Sequence, residues 1–127
     1  MDILLDTHTV LWFFEDDKRL SKSAIEAIYN PDNKMYVSIA SLWEAGIKCS
    51  IGKLKLDGGI EGFIEAIDSN GFILLSIDSG HIKKVTSLPY LHRDPFDRII
   101  ISQSIVENMA IITSDVNILK YEINPIW

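Results

Sequence analysis

The sequence predicts an α/β fold, a parallel sheet covered by helices on both faces. Three observations carry that prediction. Short apolar runs alternate with helix-patterned stretches from one end of the chain to the other, the signature of successive strand–helix units. The runs are continuously apolar rather than alternating, as strands buried on both faces are. The chain of 127 residues, 47% hydrophobic and 24% charged, suits a single domain, residues 1–127, built on one core.

The elements follow in order. Asp2 to Leu5 reads as a buried first strand ending at Asp6. Thr7 to Phe14 reads as a helix with Val10, Leu11 and Phe14 on one face. After the polar break Asp16-Asp17-Lys18, Ser21 or Ser23 opens a second helix to about Tyr29; Ser23 with Glu26 has capping-box spacing. Asn30 to Asn33 is a turn. Lys34 to Ser38 is a second strand, and Ile39 to Cys49 a helix carrying Trp43, Glu44 and Lys48. Gly52, Gly58 and Gly59 bracket a loop with Lys53 and Lys55. A helix from about Ile60 to Ser69 stops at Asn70-Gly71. Phe72 to Ile77 is a third strand, and Asp78 caps a helix to about Ser87. Leu88-Pro89-Tyr90 breaks it. Pro95 suits a first helical turn, so a helix is expected from Pro95 to Asn108, with Asp94 as its N-cap. Ala110 to Ile112 is a fourth strand, followed by Thr113-Ser114-Asp115 and a short helical turn to Lys120. Ile123 to Trp127 is expected to add a last edge strand, where Pro125 is tolerated.

Composition removes several functional classes. No apolar run approaches the roughly 20 residues of a membrane span. The net charge of −6 argues against a broad basic face gripping nucleic acid, but leaves room for an enzyme that handles phosphates through a metal ion. Asp2 directly after Met1 gives no basic n-region, so no signal peptide is expected. The single cysteine, Cys49, excludes an internal disulfide, fits a reducing cytoplasm and reads as a small buried residue rather than a nucleophile.

Residues just after parallel strands collect at one sheet edge. Asp6 and Asp115 follow strands, Asp97 opens a helix at the same edge, and Glu44 lies in the helix leaving the second strand. Each acid has a structural alternative. Asp6 and Asp115 fit helix caps, Glu44 sits three residues after Ser41 in capping-box spacing, and Asp97 fits a first-turn acid complementing the helix dipole. Together they point elsewhere. Two carboxylates about 5 Å apart at an effective dielectric of about 20 repel by roughly 3 kcal/mol, so a cluster needs protonation or a cation. Oxygen-only donors suit Mg²⁺ or Mn²⁺, and such an ion suits phosphate ester hydrolysis. Asp78 also follows a strand, and its exclusion depends on strand order.

Around this edge, Arg98 beside Asp97 and Lys48 one turn from Glu44 are the leading RNA-contacting candidates, with Arg93 and Lys53. Lys55 reads as surface charge. His92 is a candidate for proton transfer. His8 reads as structural, and Trp12, Phe13, Phe14 and Trp43 read as core.

These segments together resemble a known family. The Leu-Leu-Asp6-Thr-His-Thr-Val-Leu-Trp run, Ser-Leu-Trp-Glu44-Ala-Gly-Ile-Lys48, Ile-Gly-Lys53-Leu, His92-Arg-Asp-Pro-Phe-Asp97-Arg and Ile-Thr-Ser-Asp115 are similar in order and spacing to PIN-domain ribonucleases, specifically VapC-like toxins of toxin–antitoxin pairs. The resemblance runs from about Asp2 to Tyr121. It implies a sheet of strand order 3-2-1-4-5, which brings Asp6, Glu44, Asp97 and Asp115 into one pocket and leaves Asp78 outside. It implies that these four hold Mg²⁺ or Mn²⁺ and cleave RNA, often tRNA, with Asp94, Thr7 and Ser114 in support. It further implies a homodimer and a cognate small antitoxin, through which alone DNA is contacted. Among rivals, a haloacid-dehalogenase-like phosphatase needs a second Asp where His8 stands. A receiver domain needs an early acidic pair and a better-placed lysine than Lys120. A PIN-like module that only binds partners would not need all four acids.

Overall fold

The computed structural model describes residues 1–127. Five parallel strands, β1 (Asp2–Leu5), β2 (Lys34–Ser38), β3 (Ile73–Leu75), β4 (Ala110–Ile112) and β5 (Pro125–Ile126), form one sheet in the order β3-β2-β1-β4-β5. The helices are α1 (Thr7–Phe14), α2 (Lys22–Tyr29), α3 (Ile39–Ser50), α4 (Gly59–Ser69), α5 (Ser79–Ser87) and α6 (Pro95–Val106), with a 3₁₀ turn at Ile118–Lys120. The α/β class and the strand order are as expected.

Alternation along the strands builds two cores. Ile3, Leu5, Met35, Val37, Ala110 and Ile112 point to one face and pack with Val10 and Leu11 of α1, Ala24 and Ile28 of α2, and Phe63 and Ile67 of α4. Leu4 and Ile111 point to the other and pack with Ile99, Ile100 and Ile101 of α6, Leu88 and Tyr121. Strand neighbours therefore feed opposite layers, which is why the central strands need unbroken apolar runs. Ile3, Leu4 and Leu5 are all 0% exposed; at ~2 kcal/mol per buried aliphatic side chain, β1 anchors both layers.

Several boundaries differ from expectation. Ser21, not Ser23, caps α2 by accepting from Ala24 N. Ser38, the last residue of β2, caps α3 through Ala40 N, so Ser41 is an interior helical residue and the capping-box explanation of Glu44 fails. The third strand shrinks to three residues because β3 lies at the edge and pairs only with β2. Helix α6 stops at Val106, with Asn108 at φ 54°; asparagine tolerates this left-handed backbone better than most residues. The tail does form an edge strand. The parallel register sets Pro125 opposite Ile111, and Ile111 N and Thr113 N donate to Asn124 O and Ile126 O on either side of it, so the missing N–H of Pro125 is not needed by the ladder.

The order puts β1 beside both β2 and β4, with Leu5 opposite Val37 on one side and Ile112 on the other. The segments leaving β1, β2 and β4 therefore share one edge. Asp78, after edge strand β3, instead caps α5 in a reciprocal box with His81.

Candidate active site

Asp6 leaves the end of β1 as the N-cap of α1 and is only 3% exposed. Its Oδ1 accepts from Thr9 N at 2.7 Å, and its Oδ2 accepts from the Thr113 hydroxyl. Burial pushes its pKa up, against the lowering effect of the bonds from Thr113 and Thr9. The Thr113 oxygen also accepts from Asp115 N at 3.0 Å, which ties the end of β4 to the end of β1. Thr7 is buried and bonded to Ser41 of α3 at 2.8 Å between hydroxyls.

Glu44 points inward from α3 and is 7% exposed. Its Oε2 accepts from Lys48 Nζ at 3.1 Å, one helical turn on, while Oε1 is buried with no hydrogen-bond partner. An orphaned carboxylate oxygen in that position is costly. Asp97 stands in the first turn of α6, where its backbone N–H donates to the Asp94 cap at 2.9 Å. Its side chain is 16% exposed and its Oδ2 lies 3.1 Å from His92 Nε2. Its pKa is pushed up to about 8, first by burial and then by the charges of Asp94, Asp115, Glu44 and Asp6. Asp115 holds itself in a turn by accepting from Asn117 N at 2.8 Å; it does not cap the 3₁₀ turn, which starts after Asn117 without a side-chain cap.

These side chains line one crevice of about 100 Å³, walled by Asp6, Thr7, His8, Glu44, Lys48, Asp94, Asp97 and Asp115. It adjoins a larger groove that shares Asp6, His8, Lys48 and Asp115 and runs past Trp12, Arg19, Lys53 and Ser114. The carboxylates line the wall without three of them closing into a ready-made ligand shell. The residues nevertheless fit a hard divalent cation. All donors are oxygens, Glu44 Oε1 lacks a partner, and Asp97 is pushed toward protonation by burial and by its acidic neighbours. A bound cation relieves both conditions.

A family model for the PIN domain matches residues 3–124. The chain belongs to the PIN-domain family. Solved structures share this PIN fold. VapBC2 from Rickettsia felis, bound to a DNA fragment from its promoter, has 16% identity, a TM-score of 0.69, and coverage of 96% of this chain and 94% of that one. VapBC-1 from nontypeable Haemophilus influenzae has 17% identity and a TM-score of 0.63, covering 94% and 91%. A toxin–antitoxin complex from Klebsiella pneumoniae has 19% identity and a TM-score of 0.61, covering 89% and 86%. No curated protein matches the sequence.

Within this PIN domain, several sequence-based assignments change. Arg98, a candidate for substrate contact, does not line the acidic crevice or the groove beside it. It is 7% exposed, and its guanidinium donates to Pro89 O, Val85 O and the Tyr121 hydroxyl, because its position on α6 turns it toward α5. Arg93 is exposed but lines an apolar groove with Trp43, Tyr90 and Phe96 rather than the acidic crevice. Lys48 and Lys53 do line the large groove. Ser114 also lines that groove, but Thr113 is the hydroxyl that holds Asp6. The sequence signal for Thr113 was its place as the first residue after β4, matching Asp6 after β1. His8, expected to be structural, is exposed at the crevice and stacks on Trp12 at 5.7 Å. Trp43, expected in the core, is 62% exposed and packs edge-on against Phe96.

Proposed function

We propose that this PIN domain is a metal-dependent endoribonuclease and the toxin of a toxin–antitoxin pair. The observation that carries this reading is the convergence of Asp6, Glu44, Asp97 and Asp115 on one crevice, with Glu44 Oε1 unpartnered and Asp97 raised to about 8 by burial and then by the other acids. Such a cluster is tolerated only with an acid protonated or a cation among the carboxylates, and an all-oxygen donor set suits a hard cation.

Asp6 and Asp97 are the proposed principal ligands of Mg²⁺ or Mn²⁺, with Asp115 and Glu44 completing the site directly or through water. An ion held there would act as a Lewis acid, lowering the pKa of water and offsetting charge developing on the scissile phosphate. The chain's own residues set the stage for it. Thr113 and Thr9 N hold both oxygens of Asp6 in one orientation. Asp94 fixes the first turn of α6 and so the origin of Asp97. Thr7 bonds α1 to α3 through Ser41 and keeps Glu44's helix at the crevice. Lys48 compensates one oxygen of Glu44. Its exposed side chain and Lys53 lie along the groove beside the acids, where they would meet the RNA backbone.

A cognate small antitoxin belongs to the same reading, supported by the fold shared with the VapBC assemblies; a homodimeric state, cytoplasmic action and DNA contact only through the antitoxin are proposed with it. The test uses purified, antitoxin-free protein and RNA, including tRNA, with Mg²⁺ or Mn²⁺. Cleavage is expected, and EDTA or Asp6→Asn is expected to abolish it. Full activity of Asp6→Asn would overturn the assignment.

A further inference from the structure

We propose that His92, Tyr121 and Arg98 form a positioning chain that orients the carboxylate of Asp97 for the cation. The inference rests on the nuclease reading above for its purpose, but its geometry stands independently. Tyr121 lies in the segment after the 3₁₀ turn, far along the chain, and is 6% exposed. Its hydroxyl oxygen receives three donors: Arg98 Nη1 at 3.0 Å, His92 N at 3.2 Å and Leu91 N at 3.3 Å. A phenol oxygen has two lone pairs and one proton, so its accepting capacity is filled. Its own proton must point to an acceptor, and His92 Nδ1 lies 2.8 Å away.

That contact decides the imidazole. With Nδ1 accepting, a neutral ring carries its proton on Nε2. Nε2 is 3.1 Å from Asp97 Oδ2, so the ring donates there. Oδ2 is thereby fixed, while Oδ1 makes no hydrogen bond within the chain. The imidazole itself is held edge-on to the Tyr121 ring at 5.4 Å between centroids and its side chain is 9% exposed, so it has little freedom to turn. Arg98, bound to Pro89 O and Val85 O, anchors the start of the chain to the α5–α6 connection. Its burial beside an acidic site is explained by this role. Partners that orient a coordinating carboxylate are worth about 10–100-fold in metal affinity or activity.

Two measurements test it. The first is a long-range ¹H–¹⁵N spectrum of the metal-free protein. His92 is expected in the Nε2–H form, with a slowly exchanging Nε2 proton whose resonance moves in both Tyr121→Phe and Asp97→Asn. An Nδ1–H ring, or a resonance indifferent to both substitutions, would overturn the chain. The second is Mn²⁺ affinity with RNA kinetics. His92→Phe is expected to weaken Mn²⁺ binding by about tenfold or more and to lower kcat with KM for RNA unchanged. His92→Gln, which keeps a donor near Nε2, restores most of the loss, and Tyr121→Phe falls between. Equal Mn²⁺ affinity in His92→Phe and wild type would refute the positioning role. Wild-type protein that binds no Mn²⁺ would refute the metal reading, and with it the purpose proposed for the chain, while the spectrum still decides the hydrogen bonds.

Discussion

Replacing Asp97 by asparagine should stabilise the metal-free protein, and by an amount that depends on pH. Asp97 has its pKa pushed from 3.8 to about 8 by burial and by Asp94, Asp115, Glu44 and Asp6. The folded state therefore holds a proton that the unfolded chain has released. Linkage gives the sign: where the folded state binds more protons, stability falls as pH rises. The wild-type contribution is full below about pH 4, is lost progressively as pH rises, and is gone above about pH 8. At pH 7 the ceiling is about 4 kcal/mol, from the 1.36 kcal/mol carried by each step of ten in proton affinity. The crevice is open to water on one side, so about 2 kcal/mol is the realistic size. Asparagine keeps the carbonyl that accepts from His92 Nε2 and removes the charge. Urea unfolding in EDTA at pH 5, 6, 7 and 8 reads the effect. The variant should gain about 2 kcal/mol over wild type at pH 7, and the two should converge toward pH 4. Asp6, also raised by burial, leaves a residual slope of the same sign in both proteins. Parallel stability curves, or a variant less stable at every pH, would refute the claim that the acids burden one another.

Other perturbations separate the site from its supports. Arg98→Lys should cost about 2–3 kcal/mol in urea unfolding, because one ammonium cannot serve Pro89 O, Val85 O and Tyr121 together; an unchanged midpoint would contradict its structural role. Thr113→Val should cost about 1–3 kcal/mol by leaving Asp6 Oδ2 without its donor, with Thr113→Ser restoring most of it in the same assay. Asp78→Ala should cost about 1 kcal/mol as a lost N-cap while leaving RNA cleavage rates at the wild-type level.

Much of this architecture was legible because strand periodicity and turn chemistry agree along the chain. Asp2 to Leu5, Lys34 to Ser38 and Ala110 to Ile112 are strands at the expected limits, each with the unbroken apolar centre that two helical layers require. The caps were less legible, because several serines in succession satisfy the same local rule. Ser21 and Ser23, like Ser38 and Ser41, are separated only by where the strand or turn before them ends. Four acids at the sheet edge could be placed from the positions at which strands end, but strand order itself entered only through family resemblance. Side-chain direction was the main loss. Arg98 adjoins Asp97 in sequence, yet neighbours on a helix point about 100° apart, which sends one to the crevice and the other under Tyr121. His8 and Trp43 differ for the same reason: both lie in apolar helical segments, but on faces that no element covers. Glu44 was found by its type and place, while the unpartnered Oε1 that marks it needs coordinates.

The most direct test of the central claim compares single amide substitutions at Asp6, Glu44, Asp97 and Asp115 with one at Asp78, in one RNA-cleavage assay with Mg²⁺ or with EDTA. The account predicts that each of the four variants loses at least the roughly 10–100-fold in rate that removing even an orienting partner of a ligand costs, that Asp78→Asn keeps its activity, and that EDTA silences the wild type. Cleavage that survives EDTA, or that survives the loss of Asp6 or Asp97, would contradict it.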